Sequence, residues 1–197
     1  MLYKQRPLLL QKIRHGLLSL DRLTSTLSIA NGFLLGTMML MGLQPDSKPD
    51  WQLEAFLAIS TYLNLEVHHV DIETTFLHGD LEETIYMEQP KMMENEKYPD
   101  YVCMLHKPLY GLKQSPRQWY AKLHKFLLNA NFTRLYSEPN LYVRKTRSEF
   151  IILEVYVDDL PIAGTSEKEI LEVIKELQHH FPVKHLGPLE HFLGIHV

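Results

Sequence analysis

From position 50 onward the apolar residues fall into helical and strand-like runs separated by polar breaks. Leu53, Phe56, Leu57 and Leu63 recur at helical spacing, with Asp50 placed to cap the helix. Val67–Ile72 reads as a buried strand. Ile85–Met87 and Val102–Leu105 read as strands on either side of a polar loop. Ser115 and Pro116 suit the cap and first turn of a second helix, which would bury Trp119, Tyr120, Leu123, Phe126 and Leu127 on one stripe. Leu141–Val143 is a short strand and Phe150–Val157 a longer one. The pair Asp158-Asp159 interrupts it, and Leu160–Ala163 returns as its partner, ending at Gly164. Ser166 and Glu169 have capping-box spacing ahead of a third helix with Ile170, Val173, Ile174 and Leu177 on its inner face. The sum is a compact α+β chain without internal repeats or low-complexity segments.

The first 45 residues follow another pattern. Leu23–Leu43 carries no charge and follows Lys4, Arg6, Lys12, Arg14 and Arg22. Its length suits a membrane span of about 20 apolar residues, with a positive flank. Thr24, Ser25, Thr26, Ser28, Asn31, Gly32, Gly36, Thr37 and Gly42 dilute it, however. A poorly packed helical extension is the expectation, with no membrane partner. Pro45, Asp46, Ser47, Lys48 and Pro49 form a breaker cluster, which divides the chain into an extension, 1–45, and a domain, 46–197.

Composition adds bounds. Among 197 residues, 45% are hydrophobic and 22% charged, which is enough apolar mass for a core. The single cysteine, Cys103, excludes an internal disulfide and fits a reducing cytosol or nucleus. A net charge of −4 argues against a simple nucleic-acid coat protein. Its distribution says more. Residues 1–50 hold six Lys/Arg against three Asp, and 51–197 hold 14 against 21 Asp/Glu. Acids dominate from Asp71 to Asp100, but Tyr101–Ser137 has none, and holds Lys107, Lys113, Arg117, Lys122, Lys125 and Arg134 beside Tyr110, Trp119 and Tyr120. Such a stretch could follow a phosphate backbone, or simply form a solvated helix face over aromatic core residues.

The candidate chemistry lies at strand ends. In Tyr156-Val157-Asp158-Asp159 two carboxylates stand at the tip of a tight hairpin, and Asp71 ends another apolar strand 87 positions earlier. Adjacent carboxylates repel, and a divalent cation held by oxygen ligands relieves that repulsion. If the strands are neighbours, three carboxylates converge, as two-metal phosphoryl transfer requires. Alternatively, Asp-Asp is ordinary turn chemistry.

The surrounding residues bear on that choice. Tyr-Val-Asp-Asp within Ile151–Gly164 resembles the catalytic hairpin of reverse transcriptases. Val67–Pro90 resembles the first catalytic motif of the copia-type retrotransposon family, and Val102–Tyr120, with Leu-Tyr-Gly-Leu-Lys-Gln-Ser-Pro at its centre, resembles that family's next motif. Leu186–Val197 resembles the segment that follows the palm. The four blocks stand in the family's order and cover the chain from about residue 50 to its end.

The resemblance implies a reverse-transcriptase-like palm: an antiparallel sheet with helices packed on one face, incomplete fingers and no thumb. It implies RNA-directed DNA polymerase activity within a Pol polyprotein, acting on an RNA or DNA template-primer and deoxynucleotide triphosphates. Two Mg2+ ions, or Mn2+ in their place, would be held by Asp71, Asp158, Asp159 and the Ile72 carbonyl, with the three aspartates catalytic. Phe76 would press on the nucleotide sugar and exclude a 2′-hydroxyl, although core packing explains the same residue. Gln114 and Tyr156 would line the nucleotide pocket. Lys113, Ser115, Pro116 and Arg117 would meet nucleic acid.

Four positions depart from the family pattern. Glu73 stands where a lysine is usual and Thr75 where a small apolar residue is. Glu154 puts a carboxylate on the face of Ile152 and Tyr156, and Pro161 removes an N–H from the return strand. Residues 1–45 do not resemble the family's basic fingers region. Two readings of function follow: a polymerase domain, or an inactive remnant of one that at most binds nucleic acid.

Overall fold

The computed structural model of the chain describes residues 48–136, 138–145, 150–192 and 195–196. The expectations for residues 1–45, including Leu23–Leu43, lie outside them. Among the described residues no helix is long and apolar enough to cross a membrane.

In chain order the elements are α1 (Lys48–Leu63), β1 (Glu66–Ile72), a 3-10 turn (Thr75–His78), β2 (Tyr86–Glu88), β3 (Val102–Met104), α2 (Ser115–Asn129), β4 (Thr133–Arg134), β5 (Leu141–Lys145), β6 (Phe150–Glu154), β7 (Asp159–Gly164), α3 (Glu167–Gln178), β8 (Val183–Pro188), β9 (His191–Phe192) and β10 (Ile195–His196). Six strands form one antiparallel sheet in the order β4-β5-β6-β7-β1-β8. β2 with β3, and β9 with β10, make separate two-stranded ribbons.

Strand alternation sorts the side chains into two cores. Val70, Ile72, Ile151, Leu153, Leu160 and Ile162 face α2 and α3, meeting Trp119, Leu123 and Leu127 of the one and Ile170, Val173, Ile174 and Leu177 of the other. Val143, Phe150, Ile152 and Ala163 face Leu53, Phe56, Ile59 and Leu63 of α1. Helices therefore cover both faces, not the single face expected. The reason is the middle strands, whose residues are apolar on both sides; β6 is buried throughout.

Helix ends differ from the expectation in detail. α1 already begins at Lys48, so Asp50 lies inside it, and it stops at Asn64, which takes the left-handed conformation (φ 53°) that ends many helices. The cap of α2 is Gln114, not Ser115. Ser166 has the extended backbone of a cap but makes no side-chain cap hydrogen bond, so the capping box is not formed. Tyr120 and Phe126 are only partly buried on α2. β8 to β10, unassigned in the sequence reading, come from a segment rich in histidine, glycine and proline, without apolar alternation.

Pro161 sits in β7, a central strand, where proline is rare. Its register explains the tolerance. Ile72 N–H donates to the Asp158 carbonyl at 2.9 Å, which makes Asp71↔Asp159 a non-hydrogen-bonded pair of the β1–β7 ladder. By alternation His69↔Pro161 is another, and the proline nitrogen points away from β1 toward β6. There the regular ladder ends at Leu153↔Ile162, resuming only at the isolated bridge Tyr156↔Asp159. The missing donor costs one rung, opposite Glu154.

Candidate active site at the ends of β1 and β7

The two strand ends bring the aspartates together. Asp71, at the end of β1, lies opposite Asp159, at the start of β7. Asp158 precedes it in a turn closed by reciprocal backbone bonds between Tyr156 and Asp159, both 2.9 Å. Val157 occupies the first central position with φ 57°, a left-handed conformation costly for a β-branched residue and compatible with the tight twist of a two-residue hairpin. Trp119 of α2 holds the tip: its Nε1–H donates to the Val157 carbonyl at 2.7 Å.

The carboxylates feel one another. The Asp71 carboxyl is held above its ordinary range, first by burial, then by the charges of Asp159 and Asp158, with Lys184 and His69 opposing. Lys184 comes from β8, directly across from Asp71, and is ion-paired with Glu73. A cation thus stands near the site although position 73 is acidic.

Three of the proposed donor oxygens already have a neighbour. His69 Nε2 lies 2.7 Å from Asp159 Oδ1. The Tyr110 hydroxyl lies 3.4 Å from Asp158 Oδ2. Thr75, fully buried, donates its hydroxyl to the Ile72 carbonyl at 2.6 Å. Among the described residues, no group of three or more His, Cys, Asp or Glu side chains stands ready to hold a metal ion. Asp71 and Asp158 nonetheless fit a hard divalent cation in donor chemistry, and in the mutual repulsion raising Asp71. Asp159 and the Ile72 carbonyl are engaged, with His69 and Thr75 respectively.

The other expected site residues spread around this centre. Phe76, 7% exposed, belongs to the α2-side core and stacks obliquely against Tyr110, ring centroids 4.3 Å apart. It is positioned by the 3-10 turn, whose closing residue Gly79 lies so near α2 that a Cβ there would stand 3.1 Å from Gln118 Cβ. Gln114 donates to Glu83 at 2.9 Å. Tyr156 packs toward the α1-side core, edge-on to Phe192. Ser115 is fully buried and its hydroxyl donates to the Leu109 carbonyl at 2.6 Å, so it shapes the loop beneath the site instead of facing solvent. Lys113, Pro116 and Arg117 are exposed. Of the other cations in the acid-free stretch, Lys107 and Lys122 pair with Asp80 at 3.1 and 2.9 Å.

Sequence reasoning missed His69, the tie from Trp119 to Val157, and the reach of Tyr110. A buried indole needs an acceptor, which was the available signal for Trp119. Nothing in the sequence marks His69 among 11 histidines.

An antiparallel sheet with helices on both faces thus brings aspartates together from a strand end and a neighbouring hairpin. A family model for reverse transcriptase (RNA-dependent DNA polymerase) matches residues 51–197, and the chain belongs to that family. It is 42% identical over 146 residues to a retrovirus-related Pol polyprotein from transposon TNT 1-94 of Nicotiana tabacum, covering 74% of this chain and 11% of that protein. It is 36% identical over 139 residues to the Pol polyprotein from transposon RE2 of Arabidopsis thaliana, covering 71% and 10%. It is 39% identical over 128 residues to a putative transposon Ty5-1 protein of Saccharomyces cerevisiae, covering 65% and 42%. The chain spans about a tenth of the length of the Pol polyproteins it matches. It is a retrotransposon reverse transcriptase domain, as its copia-type motifs implied.

Proposed function

We propose that this chain carries the palm of an RNA-directed DNA polymerase, with Asp71 and Asp158 as principal metal carboxylates and Asp159 assisting. The observation that carries the reading is Asp71 opposite Asp159 with Asp158 beside them at the hairpin tip. When bound, two divalent ions would supply positive charge where a primer 3′-hydroxyl loses its proton and pyrophosphate departs. The chain's own residues do the rest. Trp119 fixes the hairpin, so Asp158 is aimed before substrate arrives. Phe76 offers an aromatic face to a sugar. Lys113 and Arg117 reach phosphates of a template-primer without reading sequence.

The competing reading, a weak or inactive remnant, has its own support: Thr75 on the Ile72 carbonyl and His69 on Asp159 tie up two of the four proposed donors. Phosphoryl transfer also depends on cations around the triphosphate, and losing one electrostatic donor costs about 100- to 1,000-fold in rate. We infer a slow polymerase when the chain acts alone. The test is nucleotide incorporation on a primed RNA template with magnesium or manganese, using Asp158→Asn as the blank. Slow extension by the parent, lost in the blank, supports the polymerase. Equal signals in both rule it out, and robust extension by the parent would overturn the inferred slowness.

A further inference from the structure

The segment Leu109–Leu112 forms a four-residue turn, closed by Leu112 N–H donating to the Leu109 carbonyl at 3.3 Å. Gly111 holds φ 95° at its third position, the signature of a type II turn. A Cβ there would meet nothing within 4 Å, so the backbone angle, not space, requires glycine. The base of the turn is fixed from α2. Ser115 donates its hydroxyl to Leu109 and its N–H to Leu112, the latter at 3.2 Å. The Leu-Tyr-Gly-Leu-Lys-Gln-Ser sequence is therefore a device that presents its second residue, Tyr110.

That side chain reaches both halves of the proposed site. It is 63% exposed, yet its ring lies 4.3 Å from Phe76, the surface assigned to the nucleotide sugar. Its hydroxyl lies 3.4 Å from Asp158 Oδ2, an oxygen assigned to metal. A neutral phenol answers one carboxylate lone pair but leaves the repulsion among Asp71, Asp158 and Asp159 in place. A divalent cation answers both, and so displaces it. Likewise, a sugar cannot lie on Phe76 while the Tyr110 ring covers it. With 63% of Tyr110 exposed, its side chain has room to swing while the turn beneath it stays held by Ser115.

We propose that Tyr110 is a gate on the nucleotide site, covering Phe76 and Asp158 in the ligand-free chain and swinging off when a divalent cation and a deoxynucleoside triphosphate bind. This rests on the reading of Asp71 and Asp158 as metal carboxylates. The two contacts are separable: the hydroxyl opposes the cation, and the ring opposes the nucleotide.

The test uses the whole chain, with Mn2+ binding followed by the resonance of the free ion and binding of a fluorescent deoxynucleoside triphosphate followed by anisotropy. Tyr110→Phe should tighten Mn2+ about twofold and leave nucleotide affinity at a given Mn2+ occupancy unchanged. Tyr110→Ala should tighten the nucleotide about three- to tenfold, the range an aromatic pair supplies. Amide exchange at Leu112 should be the same in all three proteins, since the turn is held by Ser115. If Asp158→Asn abolishes Mn2+ binding but Tyr110→Ala leaves nucleotide affinity unchanged or weaker, Tyr110 is a wall or a bystander and the gate is refuted while the metal reading stands. If Asp158→Asn binds Mn2+ as well as the parent does, the metal reading falls and takes the gate with it.

Discussion

Replacing Glu154 by glutamine should stabilise the fold above neutral pH and change it little at pH 4. Glu154 is 2% exposed, in the layer formed by Ile152, Tyr156 and α1, and its Oε2 has no hydrogen-bond partner in the described structure. Burial, reinforced by the charge of Glu138, pushes its carboxyl up from 4.5 to about 7. Below pH 4.5 the folded and unfolded chains both hold the proton, so this residue gives no pH dependence. Between 4.5 and 7 the unfolded chain releases it and the folded chain keeps it, so stability falls as pH rises. Above 7 the folded carboxyl ionises too, and the loss levels off. The interval amounts to roughly 3 kcal/mol at 1.36 kcal/mol per unit. Glutamine keeps the volume and cannot ionise. Urea unfolding at pH 4, 6 and 8 should show the difference between variant and parent growing from near zero to about 2–3 kcal/mol. Parallel pH profiles for the two proteins would refute the reasoning, because a buried carboxyl without that shift must have a partner or water access that this geometry lacks.

Other substitutions test the frame of the site. Trp119→Phe removes the indole donor to Val157 and should cost about 1–3 kcal/mol, with faster amide exchange at Asp159 than elsewhere in β7. Thr75→Ala should cost about 1 kcal/mol by urea unfolding without metal, and that deficit should shrink in Mn2+ if the freed Ile72 carbonyl binds the ion. Pro161→Val restores an N–H opposite Glu154 and should raise the unfolding midpoint by the equivalent of about 0.5–1.5 kcal/mol.

What the sequence made legible depended on how local the cause was. The inner face of α3 was fully readable, because Ile170, Val173, Ile174 and Leu177 form a single helical stripe. So was the hairpin at Asp158, where two polar residues interrupt an apolar run. The burial of Glu154 followed from counting alternation along β6. Helix caps were not readable, since Ser115 and Ser166 carry the right chemistry while their hydroxyls are spent elsewhere or unused in the cap. The position of α1 on the far face was missed because its stripe says that it is buried, not against which side of the sheet. The contacts of Thr75, His69 and Tyr110 are tertiary; each joins residues whose nearness only the completed sheet and the α2 loop create.

The lost rung at Pro161 gives the hairpin an unusual mechanical character. Below it, Leu153↔Ile162 ties β6 firmly to β7; above it, the Tyr156↔Asp159 bridge stands apart. The tip is held to β1 by the Ile72 N–H bond to the Asp158 carbonyl and to α2 by one indole, while its connection back to β6 lacks a rung. A shift of α2 along its axis, such as a pull on Arg117 in its first turn, therefore enters the hairpin at Val157 and is resisted at Asp158, whose carbonyl the Ile72 N–H ties to β1 beside Asp71.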